Sequence, residues 1–380
     1  MTRALLVAVL ATAVALLPAR PAPGCAIAPR QGQRVATAGE TAVILWDDVA
    51  QVEHFTRAAV FSGTSADFGF LVPTPGRPTL ADAPGPISGR LEVVTAPKTV
   101  VRKKLADPGL SCFGADLRDT RVGAAMPAPV QVVERKRVGD LDAAVLKATD
   151  ADALRGWLGT NGYVSRPELR SWLGGYVADG WYLTAFKVAN DRATPAGTAI
   201  GGHLKAVRLS FPAAVPIYPY QEPADAATAG PSGAFAPRLL RLFVLAPFRA
   251  EALAGLGRGA PAAGQVRTVW AGPIDRPTFV AAATACGLPA AEVDALAGRA
   301  WTLTAFEDTS SPRPTTADLA FRPSPDQSPV ERPPTVVYED IYWPYTAGCV
   351  GVTIGGPVLL WLAWKLVRRL LRHLPAAPLD

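Results

Sequence analysis

The stretch that decides the fold is Trp181–Val188, WYLTAFKV, where aromatic, aliphatic and β-branched residues follow the break at Gly180. That composition reads as a half-buried strand. Two helical patterns stand directly before it. Asp150 or Asp152 caps the first, whose Leu154, Trp157 and Leu158 fall at i, i+3 and i+4 before Gly159 or Gly162 closes it. Pro167 opens the second at its first helical position, Leu169, Trp172, Leu173 and Tyr176 repeat the apolar face, and Gly180 ends it. Upstream, Val130–Val138 and Asp142–Ala148 flank a Gly139-Asp140 turn and predict a hairpin. Downstream, Leu204–Phe211 alternates cleanly, yet it sets Arg208 on one side with Leu204, Ala206 and Ser210.

Nearer the start, Thr41–Trp46, Val52–Phe61 and Phe68–Val72 predict three strands of a meander, with Pro73-Thr74-Pro75 stopping the ladder. The fold class is therefore α+β: mixed, mainly antiparallel sheets with a few helices, plus one C-terminal transmembrane helix. A repeat is visible as well. WYLTAF at Trp181–Phe186 recurs as WTLTAF at Trp301–Phe306, five identities in six, each after a helical pattern and each before a Leu-x-Phe element, Leu209–Phe211 and Leu319–Phe321. A duplicated helix–strand–strand unit is the expectation.

The two ends set the topology. Ala4–Leu17 follows Arg3 and reads as the apolar part of a secretory signal peptide over residues 1–24. Ala347–Trp364 carries no charge and is long enough to cross a bilayer core of roughly 30 Å. Lys365, Arg368, Arg369 and Arg372 follow it and place the C-terminus in the cytoplasm. Between the ends we expect an α+β ectodomain region over 25–221, a Pro/Ala/Gly-rich loop over 222–237 and a second α+β subdomain over 238–309. A Pro-rich stalk over 310–345 follows, with seven prolines between Ser310 and Pro334 and a brief strand at Ala317–Phe321. The span is placed at 346–364 and a basic cytoplasmic tail, amphipathic enough to lie on the inner leaflet, at 365–380.

Charge excludes one class of partner. The chain has 38 basic and 32 acidic residues. Setting aside two leader arginines, the four tail cations and Asp380 leaves 32 against 31, so the ectodomain is nearly neutral. Nucleic-acid binding has no electrostatic footprint there.

The motif search is mostly exclusion. Three histidines, His54, His203 and His373, show no metal-ligand spacing, so neither a metal nor a cofactor is expected. Nucleophile-elbow, P-loop and dinucleotide motifs are absent. A serine hydrolase using His54 or His203 stays a minor alternative. Asp67-Phe68-Gly69 matches one kinase triplet without its companions and reads as a strand entry. Asp47, Asp48 and Glu53 are the carboxylates an envelope hydrolase or transferase would use. Asp140, Asp142, Asp150 and Asp152 read as turn and cap residues rather than a calcium loop.

Cys25, Cys112 and Cys286 would lie in a compartment that permits disulfides, with Cys349 inside the span. Cys25–Cys112 is the expected pair, and lipidation of Cys25 is an alternative fate. Gly351 and Gly355 form a G-x-x-x-G that would let two spans dimerise.

The chain resembles a bacterial exported-protein family of unknown function (domain-of-unknown-function family 2330). The resemblance rests on Cys25 after the leader, Asp67-Phe68 leading into Val72-Pro73-Thr74-Pro75, and a block from Asp142 to Lys187. That block contains Ala144-Val145-Leu146, Trp157-Leu158, Asn161-Gly162-Tyr163, Tyr176-Val177 and Ala185-Phe186-Lys187. It continues to Leu209–Phe211 and Arg241–Leu245. The resemblance implies no catalytic residue. The leading expectation is a membrane-anchored extracytoplasmic binding or envelope-organising module without catalysis, in contact with the cytoplasmic membrane and another envelope protein. Its aromatic-rich Trp157–Phe186 segment is the candidate surface.

Overall fold

The computed structural model describes residues 26–29, 35–63, 68–105, 131–163, 167–188, 202–221, 223, 239–255, 266–310, 317–341 and 356–371. The first elements are β1 (Ala26–Pro29), β2 (Val35–Asp47), β3 (Val52–Gly63), β4 (Phe68–Thr74), β5 (Thr79–Asp82), α1 (Gly89–Val94) and β6 (Thr99–Leu105). There follow β7 (Gln131–Val138), β8 (Leu141–Lys147), α2 (Ala151–Thr160), α3 (Pro167–Ala178), β9 (Tyr182–Val188), β10 (Gly202–His203), β11 (Val207–Pro212) and β12 (Ile217–Tyr218). The remainder is β13 (Leu239–Ala246), β14 (Ala250–Ala254), β15 (Arg267–Ile274), α4 (Arg276–Ala285), α5 (Ala290–Leu296), β16 (Trp301–Asp308), β17 (Leu319–Pro323), β18 (Thr335–Ile341) and α6 (Gly356–Leu371).

Mixed, mainly antiparallel sheets with a few helices make this an α+β fold, as expected. An eight-stranded sheet runs β15-β16-β13-β2-β3-β11-β5, with β10 also on β3. A five-stranded sheet runs β1-β4-β9-β8-β7, and β12-β17-β14 form a third. The chain divides into two compact units, Met1–Ala96 with Leu117–Arg332, and Pro97–Asp116 with Pro333–Asp380. In the second unit, β6 and β18 pair in parallel, Thr99 opposite Thr335 through Leu105 opposite Ile341.

The large sheet is buried on both faces, which explains the unbroken apolar run of β2. Ile44, Phe55, Phe61, Leu242 and Val244 join a core with Phe70, Leu71, Val145 and Leu183 of the five-stranded sheet and Leu154, Leu158 and Leu173 of α2 and α3. Val43, Leu45, Phe243, Leu245 and Leu303 on the other face pack against Phe279 and Ala282 of α4 and Val293 and Leu296 of α5. Each such side chain contributes roughly 1.5–3 kcal/mol on leaving water.

Three expectations are corrected here. The meander does not form: β2 pairs β3, but β4 joins β9 and β1 in the other sheet. Both edges of β3 are already taken by β2 and by β11 and β10, and β4 is buried at every position, so it needs two partners of its own. Its ladder does stop within Pro73-Thr74-Pro75: Pro73 lies beyond the last residue paired with β1 but still faces Leu183, and the strand ends at Thr74. The stretch 222–237 does not divide the sheets either, since β13 lies parallel beside β2, Phe243 opposite Val43. Nor is 310–345 a plain stalk. β17 is the centre of the three-stranded sheet, and Val330 bridges to Ala271.

The repeat takes a sharper form than expected. β8-α2-α3-β9 and β15-α4-α5-β16 are both strand–helix–helix–strand units whose two strands pair antiparallel. Trp181 and Trp301 each pack on the preceding helices, against Tyr176 at 5.3 Å and Phe279 at 4.7 Å between ring centroids. Thr184 and Thr304 are both fully buried. The units end in different sheets, and the following Leu-x-Phe strands, β11 and β17, have unlike neighbours.

Among the described residues no helix is long and apolar enough to cross a membrane. The expected transmembrane helix is therefore not seen as such: α6 spans sixteen residues, taking in the second part of the apolar run and then Lys365, Arg368 and Arg369. Gly351, Gly355 and Arg372 lie outside the described residues, as do Cys25, Cys112 and Cys349.

Candidate functional site

The β7–β8 hairpin turns at Gly139, whose φ of +58° suits glycine, and presents Arg135, Lys136 and Arg137 along an edge strand. Opposite them, the end of α2 supplies Trp157, Asn161 and Tyr163. Together with Asp142 and Lys187 these residues line a groove of about 390 Å³. Arg135, Arg137 and Lys187 share the face of Asp142, while Lys136 alternates to the other side of β7.

Arg135 is held in place from two sides. Its guanidinium lies over the Trp157 ring, 5.7 Å to the centroid, and donates from Nη2 to Asn161 Oδ1 at 3.1 Å. The Asn161 amide is itself fixed, because its Nδ2 donates to the Trp157 carbonyl at 2.9 Å. Trp157 stacks on Tyr163 with centroids 6.2 Å apart. Burial foremost pushes the Tyr163 phenol well up, so it stays protonated. Tyr163 also occupies the space a side chain at position 69 would need, and a Cβ there would come within 2.7 Å of the Phe186 carbonyl oxygen. Gly69 in the expected strand entry is therefore a packing requirement. Lys136 Nζ donates to the Leu80 carbonyl at 2.7 Å and ties the hairpin to β5.

Arg137 also lines a second, larger cleft of about 1130 Å³, bounded by Asp82–Ser88, Lys205 and Arg241. Its remaining charges are largely satisfied within the fold. Arg241 pairs with Glu92 at 3.2 Å, and the buried Glu40 with Arg57 at 2.5 Å. The groove, not the cleft floor, carries the excess of positive charge. The sequence signal for the groove is the charged run Glu134-Arg135-Lys136-Arg137 within the strand Gln131–Val138.

The carboxylates expected for a hydrolase do not converge. Glu53 is fully buried; burial pushes it well above the usual range, and the Ile217 amide at 2.7 Å only partly offsets that. Asp47 and Asp48 both hold Arg299, Asp47 at 2.6 Å. Burial opposes ionisation of Asp47, but the Arg299, Ala50 and Val49 donors outweigh it and hold the carboxyl below its usual value. These residues close a corner of the sheet rather than form a cleft.

The Trp157–Phe186 aromatics are core rather than surface: Trp172, Tyr176, Trp181 and Phe186 are all buried. Asp150 accepts from the Ala153 amide at 2.6 Å as the α2 cap, and Asp152 pairs with Arg170 at 2.6 Å. Among the described residues no cluster of His, Cys, Asp and Glu could hold a metal ion. On α6, Lys365 lies over Trp361 and Arg368 over Trp364, at 3.9 and 4.3 Å.

One family model matches residues 18–322, that of an uncharacterized protein conserved in bacteria (DUF2330). No curated protein and no solved structure matches the chain.

Proposed function

The chain belongs to this family of uncharacterized bacterial proteins, and from that premise we propose that it is an exported, single-pass membrane protein whose ectodomain binds an anionic ligand in the β7–α2 groove. The groove carries the reading. In an ectodomain of nearly balanced charge, Arg135, Arg137 and Lys187 share a face with one acidic residue, Asp142, and Lys136 adds a fourth cation to the lining. Trp157 and Asn161 hold the planar Arg135 guanidinium in one orientation, which lowers the ordering cost of a bidentate contact to phosphate or carboxylate.

Export and anchoring rest on the leader, the charge-free Ala347–Trp364 run and the cations after it. Leu359, Leu360 and Leu366 of α6 are 69, 74 and 64% exposed, an apolar surface suited to lipid. In this reading the C-terminus is cytoplasmic, Gly351 and Gly355 offer a dimer contact, and the cation cluster meets the inner leaflet.

Titration of the full-length protein in detergent with polyphosphate, polyglutamate and neutral dextran tests the binding. We expect salt-sensitive binding of a polyanion, weakened roughly 10–100-fold by Arg135→Ala, in keeping with charged hydrogen bonds of about 1.5–3 kcal/mol. Binding to dextran alone, or polyanion binding indifferent to Arg135, overturns the assignment. A reporter fused after Asp380 tests topology: activity in the cytoplasm is expected, and activity of an exported reporter there refutes it.

A further inference from the structure

Away from the groove, Ser210, His54 and Glu292 stand in a row. Ser210 of β11 and His54 of β3 are directly opposed in their ladder, with 2.9 Å between Oγ and Nδ1. The other ring nitrogen, Nε2, lies 3.4 Å from Oε1 of Glu292 on α5. His54 is buried, the Glu292 side chain is 39% exposed, and Ser210 is half-buried.

Hydrogen-bond chemistry selects the tautomer. The Glu292 carboxylate 3.4 Å from Nε2 favours the tautomer that carries its proton on that nitrogen. Nδ1 is then an acceptor, and the Ser210 hydroxyl is the donor of its bond. The ring thus has its base nitrogen on the serine and its other nitrogen towards a carboxylate, the orientation a nucleophile needs. Burial first, and then Arg208, lowers the His54 pKa, while Glu292 and Asp47 oppose them, so the imidazole is neutral near pH 7.

The surroundings fit as well. Arg208 lies on the same face of β11 as Ser210 and donates from Nη1 to the Gly287 carbonyl at 2.6 Å. Its Nε is buried with no hydrogen-bond partner, a spare donor on the face where negative charge would develop. The open approach is over the edge strand β5, where the exposed Thr79 stands opposite Ser210. Leu209 and Phe211 alternate to the opposite face of β11 and pack into the core shared with the five-stranded sheet, so they do not wall Ser210, while Glu292 of α5 stands beside His54.

We propose that Ser210 is a nucleophile activated by His54, with Glu292 as a positioning residue, and that it acts on carboxylic esters. Ser210 Oγ attacks the ester carbonyl carbon as its proton passes to His54 Nδ1, and the carbonyl electron pair moves to oxygen. Collapse breaks the bond to the leaving alcohol, which takes the proton back from His54. Water, deprotonated by the same nitrogen, then attacks the acyl-serine, releasing the acid and restoring Ser210.

A fluorophosphonate probe applied to the full-length protein tests this. The expected result is one adduct, mapped to Ser210, absent in Ser210→Ala and formed about 100-fold more slowly in His54→Gln. Glu292→Gln, at a more exposed position, should slow labelling less and move its pH dependence. In the wild type the labelling rate should rise with pH through the His54 titration, below the ordinary histidine value. Thermal melts confirm that each variant folds. No adduct at Ser210, a pH-independent wild-type rate, or a natively folded His54→Gln that labels as fast as wild type overturns the proposal.

Discussion

Arg57 Nε donates to Glu40 Oε1 at 2.5 Å inside the eight-stranded sheet, and each residue is only 3% exposed. Tyr218 OH adds a bond to the same oxygen at 2.7 Å, and the guanidinium lies 5.0 Å from the Phe70 ring centroid. The pair sits where the two large sheets share a core. Removing one charge would take the neutralising countercharge from the other in a low-dielectric interior. Glu40→Ala or Arg57→Ala alone should therefore cost about 3–5 kcal/mol in denaturant unfolding, whereas Glu40→Leu with Arg57→Met should recover much of it. A double variant as unstable as either single one would contradict this account.

Asp318 predicts a pH dependence. Burial pushes its carboxyl up to about 6, against the opposing bonds from the Gln221 amide and Tyr176 OH, at 2.8 and 2.9 Å. A carboxyl whose folded pKa is raised favours the fold when protonated. Its contribution is full below the unfolded value near 4 and is lost as pH rises through about 6. Asp318→Asn keeps an acceptor for both donors and removes the charge. The stability difference between the two proteins should change by on the order of 2 kcal/mol across that window, read by denaturation at pH 4 and pH 7. A constant difference would exclude the titration.

Gly287 closes α4 with φ at +77°, and a Cβ there would run into the Asp82 carbonyl. Its own carbonyl receives Arg208. Gly287→Ala should lower stability by roughly 1–3 kcal/mol from backbone strain alone, and by more if β5 must shift. A melting temperature equal to wild type would show that the turn can relax.

Cys286 is fully buried, and burial pushes its thiol up to about 12 despite the opposing influence of the Thr56 hydroxyl. It should resist iodoacetamide in the native protein and react only on unfolding. Peptide mapping of the same non-reduced sample tests the hypothesis that Cys25 and Cys112 form a disulfide, motivated by export and by their places at the start of the ectodomain. Alkylated Cys112 would rule the pair out.

Local structure was legible where local rules decide. The Gly139 turn, the two helices and WYLTAF appear as expected, and of the alternatives open at the ends of α2 Asp150 is the N-cap and Gly162, with positive φ, follows the C-cap Asn161. Pairing between distant segments was not. Nothing in Phe68–Val72 says that β3 has no free edge, and nothing in Arg241–Leu245 says that its neighbour is β2. Arg208 shows the same limit. Its alternation with Ala206 and Ser210 was correct, but that side of the strand is covered by α4 and α5, so an arginine on it is buried. His54 looked unremarkable because its partners, Ser210 and Glu292, are far away in the chain.

The parallel contact between β2 and β13 has a consequence for how the molecule comes into being. Leu239 lies opposite Gly39, and Leu245 opposite Leu45, across about two hundred residues of chain. A polypeptide emerging from its N-terminus exposes the apolar β2–β3 hairpin long before its neighbour exists. Sheets that depend on such distant partners form slowly and leave sticky edges in the meantime. The first half should need a holdase while it waits, and a truncation at residue 221 should yield aggregates rather than a smaller native domain.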